Sequence, residues 1–166
     1  MQETDYLFEQ AKAQLLKYWG FADFRPGQDN VVKSVLQKKD TLVLFPTGGG
    51  KSLCYQVPAL VFPGLSLIIS PLVALMQDQV ESLKKKGISA TFINSTLHPG
   101  EIDQRLINAR NGLYKMLYLA PERLGSKVFQ GELLNLPLDM VAIDEAHCIS
   151  ESVSYTHLTL PTIYSV

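Results

Sequence analysis

Cysteine is scarce in this 166-residue chain: Cys54 and Cys148 are its only two, and they show no metal-ligand spacing. That excludes a disulfide framework and a cysteine-based zinc site; each thiol is expected to fill a small apolar place in a reduced, cytoplasmic setting. An excess of one charge is missing too. Fifteen Lys and Arg stand against sixteen Asp and Glu, a net charge of −1, so no global basic field exists to hold a polyanion. Any such contact must be local, made by backbone amides, hydroxyls and a few cations. No apolar run approaches the roughly eighteen residues that a membrane span requires. The opening Met-Gln-Glu-Thr-Asp has neither the basic region nor the apolar stretch of a signal peptide. Asn94-Ser95-Thr96 matches a glycosylation sequon but is expected to stay unmodified in a cytosolic protein.

What is present is an alternation. Leu7, Phe8, Ala11, Leu15, Tyr18 and Trp19 recur at helical spacing, predicting an amphipathic helix over 3–18. A turn through Arg25-Pro26-Gly27 leads into a second helix over 27–38. Strands at 41–45, 66–70, 90–93, 116–119 and 140–143 then alternate with helices at 51–60, 72–86, 100–111 and 126–134. Leu72, Leu75, Met76, Val80 and Leu83 give the clearest helical stripe. This beat implies βαβ units, a mainly parallel sheet and an α/β fold in one domain. Lys84-Lys85-Lys86 reads as a solvated helix end that complements the dipole, or else as a basic patch.

Two motifs carry chemistry. Thr41-Leu42-Val43-Leu44-Phe45 is apolar after its start, as a strand buried on both faces would be. Pro46-Thr47-Gly48-Gly49-Gly50-Lys51-Ser52 follows. Three glycines let successive N–H groups curl around phosphate oxygens. Lys51 supplies charge for the β- and γ-phosphates, the Ser52 hydroxyl can ligate Mg²⁺, and the helix start adds its dipole. The strict pattern wants glycine where Phe45 stands. Farther on, the apolar run Met140-Val141-Ala142-Ile143 ends at Asp144-Glu145-Ala146-His147. Asp144, at a strand's C-terminal end, is placed to hold Mg²⁺ through water, or to cap a helix. Glu145 is placed to deprotonate an attacking water. ATP and Mg²⁺ are the implied ligands.

The segments Phe21-Ala22-Asp23-Phe24-Arg25-Pro26-Gly27-Gln28, Pro46 to Gln56 and Asp144 to Ser150 together closely resemble the RecQ family of ATP-dependent DNA helicases. The resemblance runs from about residue 5 to Glu151. It implies a P-loop NTPase of RecA-like build, a three-layer sandwich preceded by N-terminal helices: helices carrying the adenine segment over 1–40 and an incomplete ATP-binding lobe over 41–151. By the same resemblance Gln28 reads adenine, Arg25 supports that pocket, and Phe21 either stacks on the base or packs in the core. Ser70-Pro71 through Gln79, including Gln77, match a segment that touches the single-stranded DNA backbone. Asn94-Ser95 and Pro121-Glu122-Arg123 match two further motifs, Arg123 in a mixed role with a possible internal Glu122 pair. His147 either links ATP state to DNA state or is an ordinary hydrogen-bonded histidine.

The resemblance stops after Glu151, where the family continues with tryptophan, Gly-His and an aromatic-rich loop. Residues 152–166 have no charged side chain and six Ser or Thr in fifteen. They resemble translated adaptor sequence, so the genuine reading frame is expected to end near Ser152; the alternative is a β-hairpin at a sheet edge. What the resemblance implies for the parent protein is 3′-to-5′ translocation on single-stranded and forked DNA, in recombination and repair, at the nucleoid or in a nucleus. The second lobe, with arginine fingers worth roughly 10³–10⁵ in turnover, is missing here. The chain alone is expected to bind ATP and unwind nothing. An RNA helicase, another superfamily-two translocase or a non-catalytic nucleotide-binding module are the alternatives.

Overall fold

The computed structural model describes residues 2–46, 50–146 and 162–165. Apolar side chains sort to two sides of one parallel sheet. Its strands are β1 (Thr41–Val43), β2 (Leu65–Ile69), β3 (Ala90–Ile93), β4 (Met116–Leu119), β5 (Leu138–Ile143) and β6 (Thr162–Ser165), in the order β1-β6-β5-β2-β4-β3. All five pairings are parallel. The helices are α1 (Glu3–Trp19), α2 (Gln28–Leu36), α3 (Leu53–Val61), α4 (Val73–Lys85), α5 (Pro99–Arg110) and α6 (Lys127–Leu134). A 3₁₀ turn, absent from the sequence reading, spans Pro121–Gly125.

Successive side chains of a strand point to opposite faces, and the central strands obey this. Ile68 joins one core with α1, α2, α3 and α4 through Leu15, Val35, Tyr55 and Met76. Leu67 and Ile69 join a second core with α5 and α6 through Leu106 and Phe129. The result is the expected three-layer α/β sandwich with a parallel sheet of RecA-like build. Among the described residues no helix is long and apolar enough to cross a membrane.

Three expectations need correction. The run 41–45 is not a strand buried on both faces. It pairs over only three residues at the sheet edge, and the face that carries Leu42 and Leu44 stays open, 63% and 70% exposed, while Val43 on the opposite face is buried. In the α4 stripe, Met76, Val80 and Leu83 are buried, but Leu72 and Leu75 face out. The edge hairpin considered for the tail does not hold for 162–165. These residues form β6 inside the sheet, parallel to both β1 and β5, with the Thr162 N–H donated to Asp40 Oδ1 at 3.1 Å. The lysines of 84–86 do close α4: two lie in its last turn, and Lys86 Nζ stands 5.9 Å from the Trp19 ring centre.

Candidate active site

The C-terminal ends of parallel strands point to one edge, where open α/β sheets bind ligands. Two chain segments far apart in sequence meet there. Lys51, just before α3, brings Nζ to 3.6 Å from Glu145 Oε1. Thr47, Gly48, Gly49 and His147 lie outside the described residues, so the cradle is seen through Gly50, Lys51 and Ser52. Ser52 opens α3 without using its hydroxyl as a cap. That leaves its oxygen for other chemistry.

Gly50 is required on two counts. Its φ is +78°, and a Cβ there would stand 2.2 Å from Gln28 Nε2. Gln28, 2% exposed, donates Nε2–H to the Gly50 carbonyl at 3.0 Å and accepts the Arg25 N–H on Oε1 at 2.8 Å. A carboxamide has two N–H groups and two lone pairs, so one donor and one acceptor position remain. A cavity of about 220 Å³ opens beside it, lined by Leu15, Phe21, Asp23, Arg25, Gln28, Gly50 and Leu53. Phe21 is 50% exposed on this cavity, so core packing does not account for it.

The other wall is Asp144, 6% exposed at the end of β5, where its N–H extends the ladder to the Ile69 carbonyl at 2.8 Å. Oδ1 accepts the Glu145 N–H at 3.0 Å, and Oδ2 accepts from Tyr55 Oη at 3.1 Å. Burial pushes the Asp144 carboxyl above its ordinary range, against the Tyr55 and Glu145 hydrogen bonds and the Lys51 charge. Glu145 sits at φ 52°, the left-handed region that a side chain with Cβ seldom occupies. The oxygen donors available here, from Asp144, Glu145 and Ser52, suit a hard cation such as Mg²⁺. The described residues contain no cluster of three or more His, Cys, Asp or Glu that would hold a metal by itself. Mg²⁺ with one or two carboxylates and phosphate oxygens needs none.

The residues expected to face single strands collect around the ends of β2, β3 and β4. Ser70 is buried, with its N–H on the Leu119 carbonyl. Pro71 is half-buried and Ser95 exposed. Gln77 Nε2 donates to Thr96 Oγ1 at 3.3 Å. Asn94 is fully buried: Oδ1 takes the Thr96 N–H at 2.9 Å, and Nδ2 faces Met76 Sδ at 3.6 Å. Its side chain shapes the turn. Arg123 donates Nη2–H to the Asn94 carbonyl at 3.4 Å, so its observed partner is Asn94 and not Glu122.

Two participants had no role in the sequence reading. Tyr55, which donates to Asp144, and Gln79, 3.2 Å from the same hydroxyl, stood inside quoted motifs without a function. The signal for Tyr55 was its place in the first turn of the helix that follows Lys51 and Ser52, which keeps it close to the phosphate loop.

Comparison with known proteins gives the family. The family model for DEAD/DEAH box helicases matches residues 25–160. The chain is 47% identical over 146 residues to the ATP-dependent DNA helicase RecQ of Bacillus subtilis, covering 87% of this chain and 25% of that protein. It is 46% identical to RecQ of Pasteurella multocida, over 80% of this chain and 21% of the relative. It therefore spans about a quarter of the length of these relatives. The crystal structure of the DUF1998 helicase MrfA bound to DNA superposes with a TM-score of 0.74 at 22% identity, covering 99% of this chain and 27% of that one, a likeness of fold. By the family match and the identities alike, the chain belongs to the DEAD/DEAH box helicases and stands among relatives of RecQ type.

Proposed function

We propose that this chain is the first ATP-binding lobe of an ATP-dependent DNA helicase, one that couples ATP hydrolysis to 3′-to-5′ movement on single-stranded DNA and to unwinding of forked duplexes. The observation that carries the reading is the Lys51–Glu145 contact at 3.6 Å beside the buried Asp144. It joins a phosphate-binding cation, a general base and a metal-holding acid in one place.

The residues divide the work by chemistry. Gln28, with one donor and one acceptor left, faces the adenine edge, while Phe21 and Arg25 wall the base. The Gly50 amide and Lys51 take the phosphates. Asp144 and Ser52 would hold Mg²⁺, which would supply charge neutralisation at the phosphates. Without nucleotide, Lys51 rests on Glu145. A γ-phosphate draws Lys51 away and leaves the Glu145 carboxylate facing the attacking water as general base. The DNA-facing set is Ser70, Pro71, Gln77, Asn94, Ser95 and Arg123. There a hydroxyl or amide suits a phosphate whatever the base sequence, and Asn94 acts through the turn it shapes.

The test is nucleotide binding by this chain, read with a fluorescent ATP analogue. Lys51→Ala removes charge-assisted contacts worth about 1.5–3 kcal/mol and should weaken binding roughly ten- to a hundredfold. Glu145→Gln removes a competitor for Lys51, so affinity should hold or rise up to about fivefold. In the longer protein, Glu145→Gln should lower turnover by about 10²–10⁴. Unchanged affinity in Lys51→Ala, or near-normal turnover in Glu145→Gln, overturns the assignment.

A further inference from the structure

Behind the metal acid lies a hydrogen-bond chain that leads out of the site. Tyr55 is fully buried, and its Oη stands 3.1 Å from Asp144 Oδ2 and 3.2 Å from Gln79 Oε1. Tyr118, also buried, accepts from Gln56 Nε2 at 2.9 Å. A phenol has one proton and two lone pairs, so it cannot donate to a carboxylate and an amide carbonyl together. The two ends of a carboxamide are nearly alike in shape. Turning the Gln79 amide over places N–H toward the phenol oxygen, so that Tyr55 accepts from Gln79 and donates to Asp144. The donors then run one way: Gln79 to Tyr55, and Tyr55 to Asp144.

The two ends of this chain belong to different parts of the machine. Asp144 closes β5 at the phosphate site. Gln79 lies on α4, half-buried, two residues beyond Gln77, which reaches Thr96 in the cluster at the ends of β2–β4. α4 is entered directly from Ser70 and Pro71. Tyr55 is the one side chain that touches both Asp144 and α4 in the described network, and it sits on α3, whose start carries Lys51 and Ser52.

We propose that Tyr55 is a positioning residue that fixes the Asp144 carboxylate for Mg²⁺·nucleotide and ties that carboxylate, through Gln79, to the helix of the DNA-facing cluster. The inference rests on the nucleotide-site reading above and extends it to two residues with no contact to the ligand. Partners that orient a metal-holding carboxylate matter through the metal, typically by ten- to a hundredfold in its affinity. Tyr55→Phe deletes a single oxygen and keeps the ring that fills the core, which isolates this effect from packing.

The experiment measures binding of the fluorescent ATP analogue to this chain, first in EDTA and then across a Mg²⁺ titration. Tyr55→Phe should leave the EDTA affinity within about twofold and raise the Mg²⁺ midpoint roughly ten- to a hundredfold. Gln79→Leu, at a half-buried helix position, should raise it about two- to tenfold, the loss of one neutral hydrogen bond. Because the two act in series, the double variant should match Tyr55→Phe instead of adding to it. A purely structural role would move EDTA and Mg²⁺ binding together. That result, or additive variants, or an unmoved midpoint overturns the proposal. Absence of nucleotide binding in the unaltered chain overturns the nucleotide-site reading and this inference with it. Should Tyr55→Phe fail to fold by circular dichroism, an unmoved midpoint in Gln79→Leu alone refutes the link.

Discussion

Gly50 bears two constraints at once, and they make different predictions. Its left-handed φ costs an alanine about 1–2 kcal/mol. The Cβ would also displace Gln28, whose Nε2 now rests on the Gly50 carbonyl. Gly50→Ala should therefore weaken nucleotide binding and also narrow the preference for ATP over GTP. Paired titrations with the two nucleotides check it; an equal loss for both would mean that Gln28 does not read the base. Cys54 gives a contrasting case. Its thiol is buried behind Gly50, Sγ lying 3.9 Å from that carbonyl, and burial pushes it up to about 12. Since the thiolate is the nucleophile, almost none exists at pH 8. Iodoacetamide should leave the Cys54 peptide unmodified in the folded chain and label it fully in denaturant, as mass spectrometry of that peptide would show.

At the scale of elements, β1 shows how far a sequence pattern reaches. Four apolar residues in a row after Thr41 read as a strand buried on both faces, yet Leu42 and Leu44, on one face, are exposed while Val43, on the other, is buried. Periodicity reports the character of a segment and is blind to its neighbours. β6 makes the same point from the other direction. Thr162-Ile163-Tyr164-Ser165 carries too few residues for a pattern, but a slot between β1 and β5 accepts them with Ile163 in the core. Elements with long stripes, such as α1, α4 and α5, were legible to within two residues at each end. At the candidate site, Lys51 and Glu145, singled out by two motifs far apart in the chain, do come within 3.6 Å of each other. The Tyr55–Gln79 contact was not legible, because a hydrogen bond between side chains of two different helices is set by tertiary structure and leaves no spacing in the sequence that links the two positions. The exposure difference is testable. Leu42→Lys should change stability by no more than about 0.5 kcal/mol, and a lysine on an edge strand also discourages pairing with other chains. Ile163→Asp, a charge placed inside the sheet, should cost more than about 3 kcal/mol in urea unfolding.

For the molecule as a whole, the charge balance decides what kind of DNA contact is available. A net charge of −1 cannot gather a polyanion from a distance, so on the proposed reading affinity has to come from the cluster proposed to face DNA. In that cluster Ser70, Pro71, Gln77, Asn94 and Ser95 are neutral, and Arg123 is the sole cation. Its guanidinium is partly engaged by the Asn94 carbonyl. Each cation that neutralises a phosphate on a single strand contributes about −0.7 to the slope of log K against log salt. One arginine therefore predicts a slope near −0.7 for binding of an oligothymidylate to this chain, far shallower than for a protein with a basic groove. Arg123→Gln should flatten the slope toward zero while leaving nucleotide affinity unchanged, since Arg123 lies outside the phosphate site. A wild-type slope steeper than about −2, measured by fluorescence anisotropy between 50 and 200 mM salt, would place the strand on other lysines and arginines and remove this cluster from its path.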